Sequence, residues 1–411
     1  MSLCRYLPTP SDRMGIIWSL LAVEGSIVLE YGPAGTTHFS MGLYGTLGVD
    51  FEQRLFTTHM SEDDVVMGDV TRLEEAIVEL DRSYGPQVIF VVASSISAVI
   101  GADIKGVCNY MQKEVRAKLV SFDQGGFRGD YSVGLAEVYK LLVKNLPEAA
   151  AKEQHKYNIL GASMGRYRMA SDVWEIKNML AEAYGLNVQA CLCCDTSVEE
   201  IKGMGSAALN VVLCAEALEA AEYLKEKFGT PYVYCVPYGY KKTLEFLQLV
   251  GSVLGKMPNM TMMARLGGKM RSFGMLGMYA AMMGGKKQRP SAAVKGDYDL
   301  VCGIGGFLEE AGFTVKHKIC SHALKAVPDA AADVKFYGEE KEWLDIFRSM
   351  HNTLVLADDV ALMQCAADNT CLRVSAPFIN GGQVATHLPL MGEKGADFLL
   401  ETIELHYQKL N

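Results

Sequence analysis

Short apolar runs along the chain alternate with longer segments in which apolar residues recur every three or four positions. The first runs predict strands buried on both faces, at 26–32, 53–59, 86–93 and 117–122. A glycine-containing turn and a helical pattern follow each run. This alternation is typical of parallel βαβ units, whose strands are covered by helices on both sides.

A second series follows the charged stretch 146–157. Its predicted strands are YNILG (157–161), QACLC (189–193), LNVVLC (209–214) and PYVYCV (231–236), with helices near 171–184, 197–203, 215–228 and 241–254. In the first of these helices, the apolar face consists of Val173, Ile176, Leu180 and Ala183. Asp172 and Glu175 have the spacing of a capping box, which predicts the start of this helix.

A third series begins near 292, after a Met-rich segment (257–283) that predicts a helix from about 261, and it ends in a predicted helix at 391–409. The three series predict an α/β fold of three Rossmann-like, doubly wound parallel-sheet domains. We expect domain I at 1–155, domain II at 156–256, and domain III with its Met-rich helical connector and C-terminal helix at 257–411.

Composition narrows the class of protein. Half of the 411 residues are apolar, 21% are charged, and the formal net charge is −9. Such a chain has the composition of a folded protein, and its acidity argues against binding to nucleic acid. No apolar run has the roughly 20 residues of a membrane span, and no export signal is visible, so we expect a cytoplasmic protein with no membrane partner.

Sulfur is abundant, with 11 Cys and 22 Met. Cytoplasmic thiols stay reduced, so the cysteines are core residues, metal or cluster ligands, or reactive groups. Cys191, Cys193 and Cys194 lie at a predicted strand end, where α/β proteins place their sites. They form a candidate metal site, although small core residues explain the same pattern.

One glycine motif suggests a nucleotide site. GIGG (303–306) follows the strand-like run YDLV and opens a predicted helix, but the third glycine of a dinucleotide fingerprint falls at Leu308. The favoured explanation of the motif is therefore glycines that permit close packing between a helix and a sheet. The phosphate-binding pattern GxxxxGK[ST] is absent, so we expect that the chain binds no nucleotide directly.

Four segments contain distinctive motifs: YRMASDVWEIKNMLAEAYGLNV (167–188), GPAGT (32–36), ASSISAVIGAD (93–103) and the stretch 265–313. The first three resemble motifs of nitrogenase component 1 proteins, and the fourth resembles a segment of the β-type subunit of that family. The resemblance extends, in order, over about nine tenths of the chain. It identifies the chain as a divergent member of the family, closer to the β-type.

The resemblance implies an assembly. Family members pair with a homologous subunit or with themselves, as a dimer or an α2β2 tetramer, and accept electrons from an ATP-hydrolysing iron–sulfur reductase. A 4Fe–4S-type cluster between the subunits is held by three cysteines from each. We therefore expect these partners, and a cluster shared with the partner subunit, for this chain too.

Two of the three cluster cysteines are missing. The matching positions are Cys4, Thr36 and Ser95, and a hydroxyl is a poor substitute for a thiolate. Three interpretations remain open. In the first, a partner subunit supplies most of the cluster ligands, and Cys4 or an oxygen atom of this chain completes the set. In the others, the cluster lies near Cys191–Cys194, or this chain has lost the cluster. We expect Cys4, Thr36 and Ser95 to bind or flank the cluster.

Cys214 matches the cysteine that binds the catalytic cofactor in nitrogenase, and it marks a candidate substrate or cofactor pocket or a plain core residue. The region matching the cofactor's histidine, 372–381, contains no His, which argues against dinitrogen reduction. The leading hypothesis is a subunit of a nitrogenase-like oxidoreductase that passes electrons from the reductase to another bound substrate. The alternative is a non-catalytic scaffold for metallocluster assembly or a degenerate supporting subunit.

Overall fold

Three parallel β-sheets follow one another along the chain, each formed by strands that alternate with helices. The computed structural model describes residues 4–6, 8–37, 54–282, 291–327, 329–377 and 387–409. This architecture confirms the predicted α/β class with repeated parallel sheets. The boundaries expected between the three domains stay a prediction.

The first sheet has the strand order β3-β2-β4-β5. All residues of β2 and β4 are buried, as their continuous apolar sequences predict. The strands of this part are β1 (Val23–Glu24), β2 (Ser26–Tyr31), β3 (Leu55–Thr57), β4 (Val88–Ala93) and β5 (Lys118–Phe122). The helices are α1 (Asp12–Leu20), α2 (Glu62–Met67), α3 (Thr71–Tyr84), α4 (Ser95–Val99), α5 (Ile104–Met111) and α6 (Tyr131–Asn145).

The second sheet has the order β10-β9-β6-β7. The strands are β6 (Glu153–Leu160), β7 (Asn187–Cys191), β8 (Thr196–Ser197), β9 (Ala207–Val212) and β10 (Tyr232–Tyr234). The helices are α7 (Met169–Tyr184), α8 (Val198–Lys202), α9 (Leu218–Phe228) and α10 (Gly239–Leu254). A separate parallel pair, β1 with β8, joins this part of the chain to the first.

The third sheet has five strands in the order β13-β12-β11-β14-β15, which is the 3-2-1-4-5 order of a Rossmann sheet. The strands are β11 (Ser291–Gly296), β12 (Thr314–Cys320), β13 (Val334–Phe336), β14 (Leu354–Ala357) and β15 (Thr370–Arg373). The helices are α11 (Met260–Met282), α12 (Tyr298–Glu310), α13 (Glu340–Arg348), α14 (Asp359–Leu362) and α15 (Gly392–Lys409).

Helix α7 confirms the predicted apolar face but not the predicted cap. Its four predicted face residues are all buried. The capping box is wrong, because α7 begins one turn earlier, after Arg168 in a left-handed conformation (φ 60°), and no side chain caps it. Asp172 and Glu175 therefore lie inside the helix, where their carboxylates are free to bind another part of the chain.

Both carboxylates bind the beginning of α15. Asp172 Oδ1 accepts hydrogen bonds from the backbone N–H groups of Leu390 (2.6 Å) and Met391 (2.8 Å). Glu175 Oε1 accepts one from Lys394 N at 3.0 Å. A carboxylate at a helix N-terminus is stabilised by the unpaired N–H groups there. These two residues thus attach the C-terminal helix to the second sheet.

The GIGG motif lies within α12, and the preceding YDLV is the first turn of that helix rather than a strand. A Cβ at Gly303 would lie 2.2 Å from Tyr238 Cδ2, and one at Gly305 would lie 2.8 Å from Lys318 Cε. The glycines therefore permit close packing of α12, which confirms the packing interpretation over the nucleotide one.

The helices of the described residues include none that combines the length and the apolar character needed to cross a lipid bilayer.

Substitution of Gly303 tests this packing, and Gly306 in the same helix provides the control because nothing lies within 4 Å of its Cβ position. We expect Gly303→Ala to lower the free energy of unfolding by about 1–3 kcal/mol through overpacking. Gly306→Ala should raise it by about 0.5–1 kcal/mol, because alanine favours a helix over glycine. Urea unfolding followed by circular dichroism measures both, and equal effects would contradict the packing.

Candidate functional site

The loops after β2 and β4 carry Thr36 and Ser95, two of the predicted cluster positions. Because β2 and β4 are adjacent and parallel, their carboxyl ends lie side by side. Gly32 is the point of contact: a Cβ there would lie 2.3 Å from Ser94 Cβ and 3.5 Å from Thr36 Oγ1. The structure therefore brings these two loops together at one edge of the first sheet.

The hydroxyl groups of Thr36 and Ser95 both donate hydrogen bonds to backbone carbonyl oxygens. Thr36 Oγ1 donates to the carbonyl oxygen of Pro33 at 2.9 Å, and Ser95 Oγ donates to that of Gly125 at 2.7 Å. A hydroxyl that donates in this way keeps its proton. Iron–sulfur clusters are held by thiolates, so neither group in this state is a cluster ligand.

Cys4, the third predicted position, binds to the third sheet's helix α13. Its Sγ donates to Glu340 Oε1 at 3.2 Å, and the backbone N–H groups of Arg5 (2.6 Å) and Tyr6 (3.1 Å) donate to the same carboxylate. Burial, together with the hydrogen bond and negative charge of Glu340, raises the pKa of Cys4. The thiolate that a cluster requires is therefore disfavoured here.

The described residues of this chain do not fit a complete 4Fe–4S cluster, since they offer two protonated hydroxyls and one protonated thiol at the expected positions. In the described part of the chain, no group of three or more His, Cys, Asp and Glu side chains is spaced to hold a metal ion. The ligand or flanking roles of Cys4, Thr36 and Ser95 stay predictions.

Cys214 follows β9 and is fully buried. Its Sγ packs on the backbone of Gly161, since a Cβ at Gly161 (φ 87°) would lie 2.6 Å from that sulfur. Burial raises the pKa of the Cys214 thiol well above its ordinary value, although Arg166 acts in the opposite direction. Cys214 is therefore a neutral thiol at the rim of a buried group of charges.

Arg166 is the centre of that group, and its side chain is only 8% exposed. Its Nη2 lies 2.9 Å from Glu216 Oε2, and its Nε lies 3.4 Å from Asp297 Oδ2. The hydroxyl group of Tyr131, on α6, donates to Asp297. Arg166 and Glu216 belong to the second sheet's loops, Asp297 to the third sheet and Tyr131 to the first part of the chain. This buried network joins all three.

Asp299 extends the network with a third carboxylate. Its Oδ1 accepts a hydrogen bond from Tyr234 at 2.6 Å, and its Oδ2 accepts one from Ala215 N at 3.0 Å. Burial, with the charge of Glu216, raises the pKa of Asp299 to about 6. Burial opposes the ionisation of Glu216 more than any other single effect, but the positive charges of Arg166 and His322 and the hydrogen bonds to the carboxylate together outweigh it, and the pKa of Glu216 falls to about 2.

The space beside this network is small. A cavity of about 10 Å³ is lined by Arg166, Asp297, Asp299, Tyr238 and other side chains. That volume holds one water molecule at most. Part of the region matching the cofactor's histidine, 378–381, lies outside the described residues. A substrate or cofactor pocket at Cys214 stays a prediction, and the side chains that are described leave little space for one.

Sequence reasoning missed this network. Arg166 lies in GASMGRYRMAS, Glu216 lies two residues after Cys214, and both aspartates lie in GDYDL. The available signal is that charged residues follow the predicted strands at their carboxyl ends, where sites collect in α/β folds. Their mutual pairing depends on contacts between residues that are 50 or more positions apart.

The three cysteines of the predicted metal site do not all lie in the same place. Cys191 and Cys194 pack in the apolar cluster between the second and third sheets, whereas Cys193 packs in the cluster shared with the first part of the chain. Cys193 has a left-handed backbone (φ 69°), and this conformation places it in a turn between the other two. A site built from all three stays a prediction that this placement does not favour.

The raised pKa of Asp299 makes stability depend on pH. Because the folded protein binds this proton more tightly than the unfolded chain does, the contribution of Asp299 to stability rises as the pH falls from about 7 to about 4. We expect Asp299→Asn to increase the free energy of unfolding at pH 8, by up to about 3 kcal/mol, and to flatten its slope between pH 4 and pH 7.

Asp123→Asn is the matched control, because Asp123 is an exposed carboxylate. Its Oδ1 lies 3.2 Å from Nη2 of Arg128, in an ion pair on the surface. Urea unfolding at several pH values provides the measurement. Parallel pH profiles for the wild type and Asp299→Asn would contradict a buried, proton-binding Asp299.

Comparisons with known proteins agree with the fold. The family model "Nitrogenase component 1 type Oxidoreductase" matches residues 11–404. The nitrogenase iron-molybdenum cofactor biosynthesis protein NifE of Clostridium pasteurianum is 30% identical over 231 residues, covering 55% of this chain and 50% of that protein. The nitrogenase molybdenum-iron protein alpha chain of the same organism is 29% identical over 236 residues, covering 55% and 43%.

A solved structure, "Nitrogenase Cp1 at pH 6.5", superposes with a TM-score of 0.80 at 18% identity, covering 100% of this chain and 95% of that one. The chain spans about half the length of the curated relatives it matches. One of those relatives is an alpha chain, so the expected likeness to the β-type stays a prediction. The family itself is shown: this chain belongs to the nitrogenase component 1 type oxidoreductases.

Proposed function

We propose that this chain is a supporting subunit of a nitrogenase-like oxidoreductase, and that it pairs with a homologous subunit carrying the cluster thiolates. The observation that supports this is the edge of the first sheet. There Thr36 and Ser95 occupy converging loops, but their hydroxyls donate to backbone carbonyls. Two copies of this chain would bring only more protonated groups together, so a thiolate-bearing homologue is the required partner.

The surface beside Ser95 is suited to such a partner. Large apolar side chains on and after α4 are exposed, with Val99 at 72% and Ile96 at 37%. Phe127 is 68% exposed and follows the Gly125–Gly126 turn, which packs against Ser95. Several large apolar side chains exposed near one edge of a sheet support a contact with another protein at that edge. The same edge therefore carries both the cluster loops and the docking surface.

In this proposal an ATP-hydrolysing iron–sulfur reductase delivers single electrons to the cluster held mainly by the partner. The complex passes them to a bound substrate other than dinitrogen. The neutral Cys214 thiol and the small cavity beside it support placing that substrate outside this part of the chain. Cys4 flanks the cluster, since Glu340 holds its proton. We place the complex in the cytoplasm.

Anaerobic co-expression with homologous component 1 subunits that contain all three cluster cysteines tests this pairing. We expect a stable complex that contains iron and shows 4Fe–4S absorption, whereas this chain purified alone contains none. Val99→Glu combined with Phe127→Glu should prevent the complex by burying charge at the interface. Val66→Glu is the control, because Val66 is also exposed (81%) but lies on α2.

Iron-free complexes with every homologue would contradict the electron-transfer role. Cys4→Ala should leave the iron content of the complex unchanged, because the thiol is bound to Glu340. Loss of iron in this variant would make Cys4 a ligand instead of a flanking residue.

Restoring the missing thiols tests the cluster position itself. We expect Thr36→Cys combined with Ser95→Cys to increase the iron bound after anaerobic reconstitution of the complex, because thiolates are the preferred ligands of iron–sulfur clusters. Thr36→Val combined with Ser95→Ala removes the same hydroxyls without adding sulfur and should not. Equal iron contents in the two double variants would contradict a cluster at this edge.

A second candidate function is a scaffold for metallocluster assembly. The likeness to NifE, a cofactor biosynthesis protein, favours it. The complex would then transfer iron–sulfur material to an acceptor protein that lacks its cofactor. Transfer of an ⁵⁷Fe label without substrate-dependent oxidation of the reductase would support the scaffold over the oxidoreductase.

A further inference from the structure

Cys191 and Cys194 lie at the two ends of one tight turn. Cys191 is the last residue of β7, and Cys194 N–H donates to the carbonyl oxygen of Cys191 at 3.3 Å. The left-handed backbone of Cys193 closes the turn. Both side chains pack in the same apolar cluster, whereas that of Cys193 packs in another. The CxxC spacing thus places two sulfur atoms together on one side of the turn.

Met164 adds a third sulfur atom. The thiol of Cys194 donates to Met164 Sδ, and the two sulfurs are 3.4 Å apart. The backbone holds this arrangement, because Met164 N–H donates to the carbonyl oxygen of Cys193 at 3.2 Å. Met164 belongs to the loop after β6, the strand next to β7. Two neighbouring strand ends therefore bring two thiols and a thioether together.

Two spaces adjoin these sulfurs, although both cysteine side chains are buried. Cys194 and Met164 line a groove of about 770 Å³, and Cys191 lines an adjoining cavity of about 140 Å³. Thr196 lines both spaces, and its Oγ1 is a buried oxygen with no hydrogen-bond partner in the described part of the chain. A buried polar atom left unpaired indicates that water or a ligand occupies the space beside it.

The donor set selects the type of cation. Thiolate and thioether sulfurs are soft ligands, and a thioether favours Cu(I) over harder divalent ions. Three sulfurs about 2.3 Å from one ion lie roughly 4 Å from each other, so the Cys194–Met164 pair needs to open by only about half an ångström. Hard oxygen ligands in sufficient number for Mg²⁺ or Ca²⁺ are not part of this set.

Lys177 is the basic residue beside the turn. It lines the cavity next to Cys191, and its Nζ lies 3.2 Å from Asp195 Oδ2, so the ammonium is held there. Glu24, Asp195 and Glu200 line the same cavity, so Lys177 offsets only part of the negative charge that two thiolates and Cu(I) add.

We propose that Cys191, Cys194 and Met164 form a three-sulfur site that binds one Cu(I) ion, with Lys177 as the positioning counter-charge. Both cysteines bind as thiolates, so each thiol releases its proton to solvent when the ion enters, and the oxidation state of copper does not change. The site is separate from the proposed cluster edge, which lies at the end of the first sheet.

The test is an anaerobic Cu(I) titration of the full chain in competition with a chromophoric Cu(I) chelator. Cys4→Ser and Cys371→Ser are introduced first, because these two thiols are exposed and bind copper by themselves. We expect one equivalent of Cu(I) to leave the chelator, and X-ray absorption to show three sulfur neighbours. Binding should weaken as the pH falls, because protons compete with the ion.

Variants in the same background identify the ligands. Cys194→Ser should abolish stoichiometric binding, and Met164→Leu should reduce the sulfur neighbours to two. Lys177→Met should weaken binding by roughly 10-fold, as expected for a group outside the ligands. Cys193→Ser is the matched control and should bind like the parent, because that sulfur faces the other apolar cluster.

Circular dichroism and urea unfolding of each variant separate a lost ligand from a lost fold. The proposal is overturned if the parent leaves Cu(I) with the chelator, or if its X-ray spectrum shows fewer than three sulfur neighbours. It is also overturned if Cys193→Ser, while folded, loses as much affinity as Cys194→Ser. None of these three outcomes bears on the proposed pairing at the edge of the first sheet.

Discussion

The buried side chain of Arg166 is the interaction on which the arrangement of the three sheets depends. It binds Glu216 and Asp297, and Tyr131 reaches Asp297 from the first part of the chain. An arginine removed from water is costly unless carboxylates and hydrogen bonds compensate it. Because Glu216 and Asp297 come from the second and third parts of the chain, and Tyr131 binds Asp297 from the first, the ion pairs and the hydrogen bond form together only when all three parts are assembled. The cavity beside this network has a volume of about 10 Å³, which is too small for a ligand larger than a water molecule.

The chemistry at the edge of the first sheet follows from proton affinity. Thr36 and Ser95 lie in loops that meet at Gly32, so the geometry of a shared site is present. Their hydroxyls hold their protons and donate them to backbone carbonyls, and Glu340 holds the proton of Cys4. In the proposed pairing the thiolates come from another subunit, and the exposed Val99 and Phe127 are the residues proposed to contact it.

The abundant sulfur of the chain has several roles. Cys214 is a neutral, buried thiol packed on a glycine backbone, and Cys193 fills the core. Cys191, Cys194 and Met164 differ because they are grouped, line two adjoining spaces and lie close to a lysine. Burial alone makes a thiol inert, whereas grouping with other soft donors gives it a function as a ligand.

The sequence by itself determined the strands of the first two sheets and the buried face of α7, because burial repeats with the period of each local structure. It also indicated the family through the motifs around 32–36, 93–103 and 167–188. Tertiary structure decided that Asp172 anchors α15 instead of capping α7, that Cys4 binds Glu340, and that Met164 joins Cys191 and Cys194. These contacts pair groups far apart in the chain, and a local pattern contains no information about which distant segment a side chain meets.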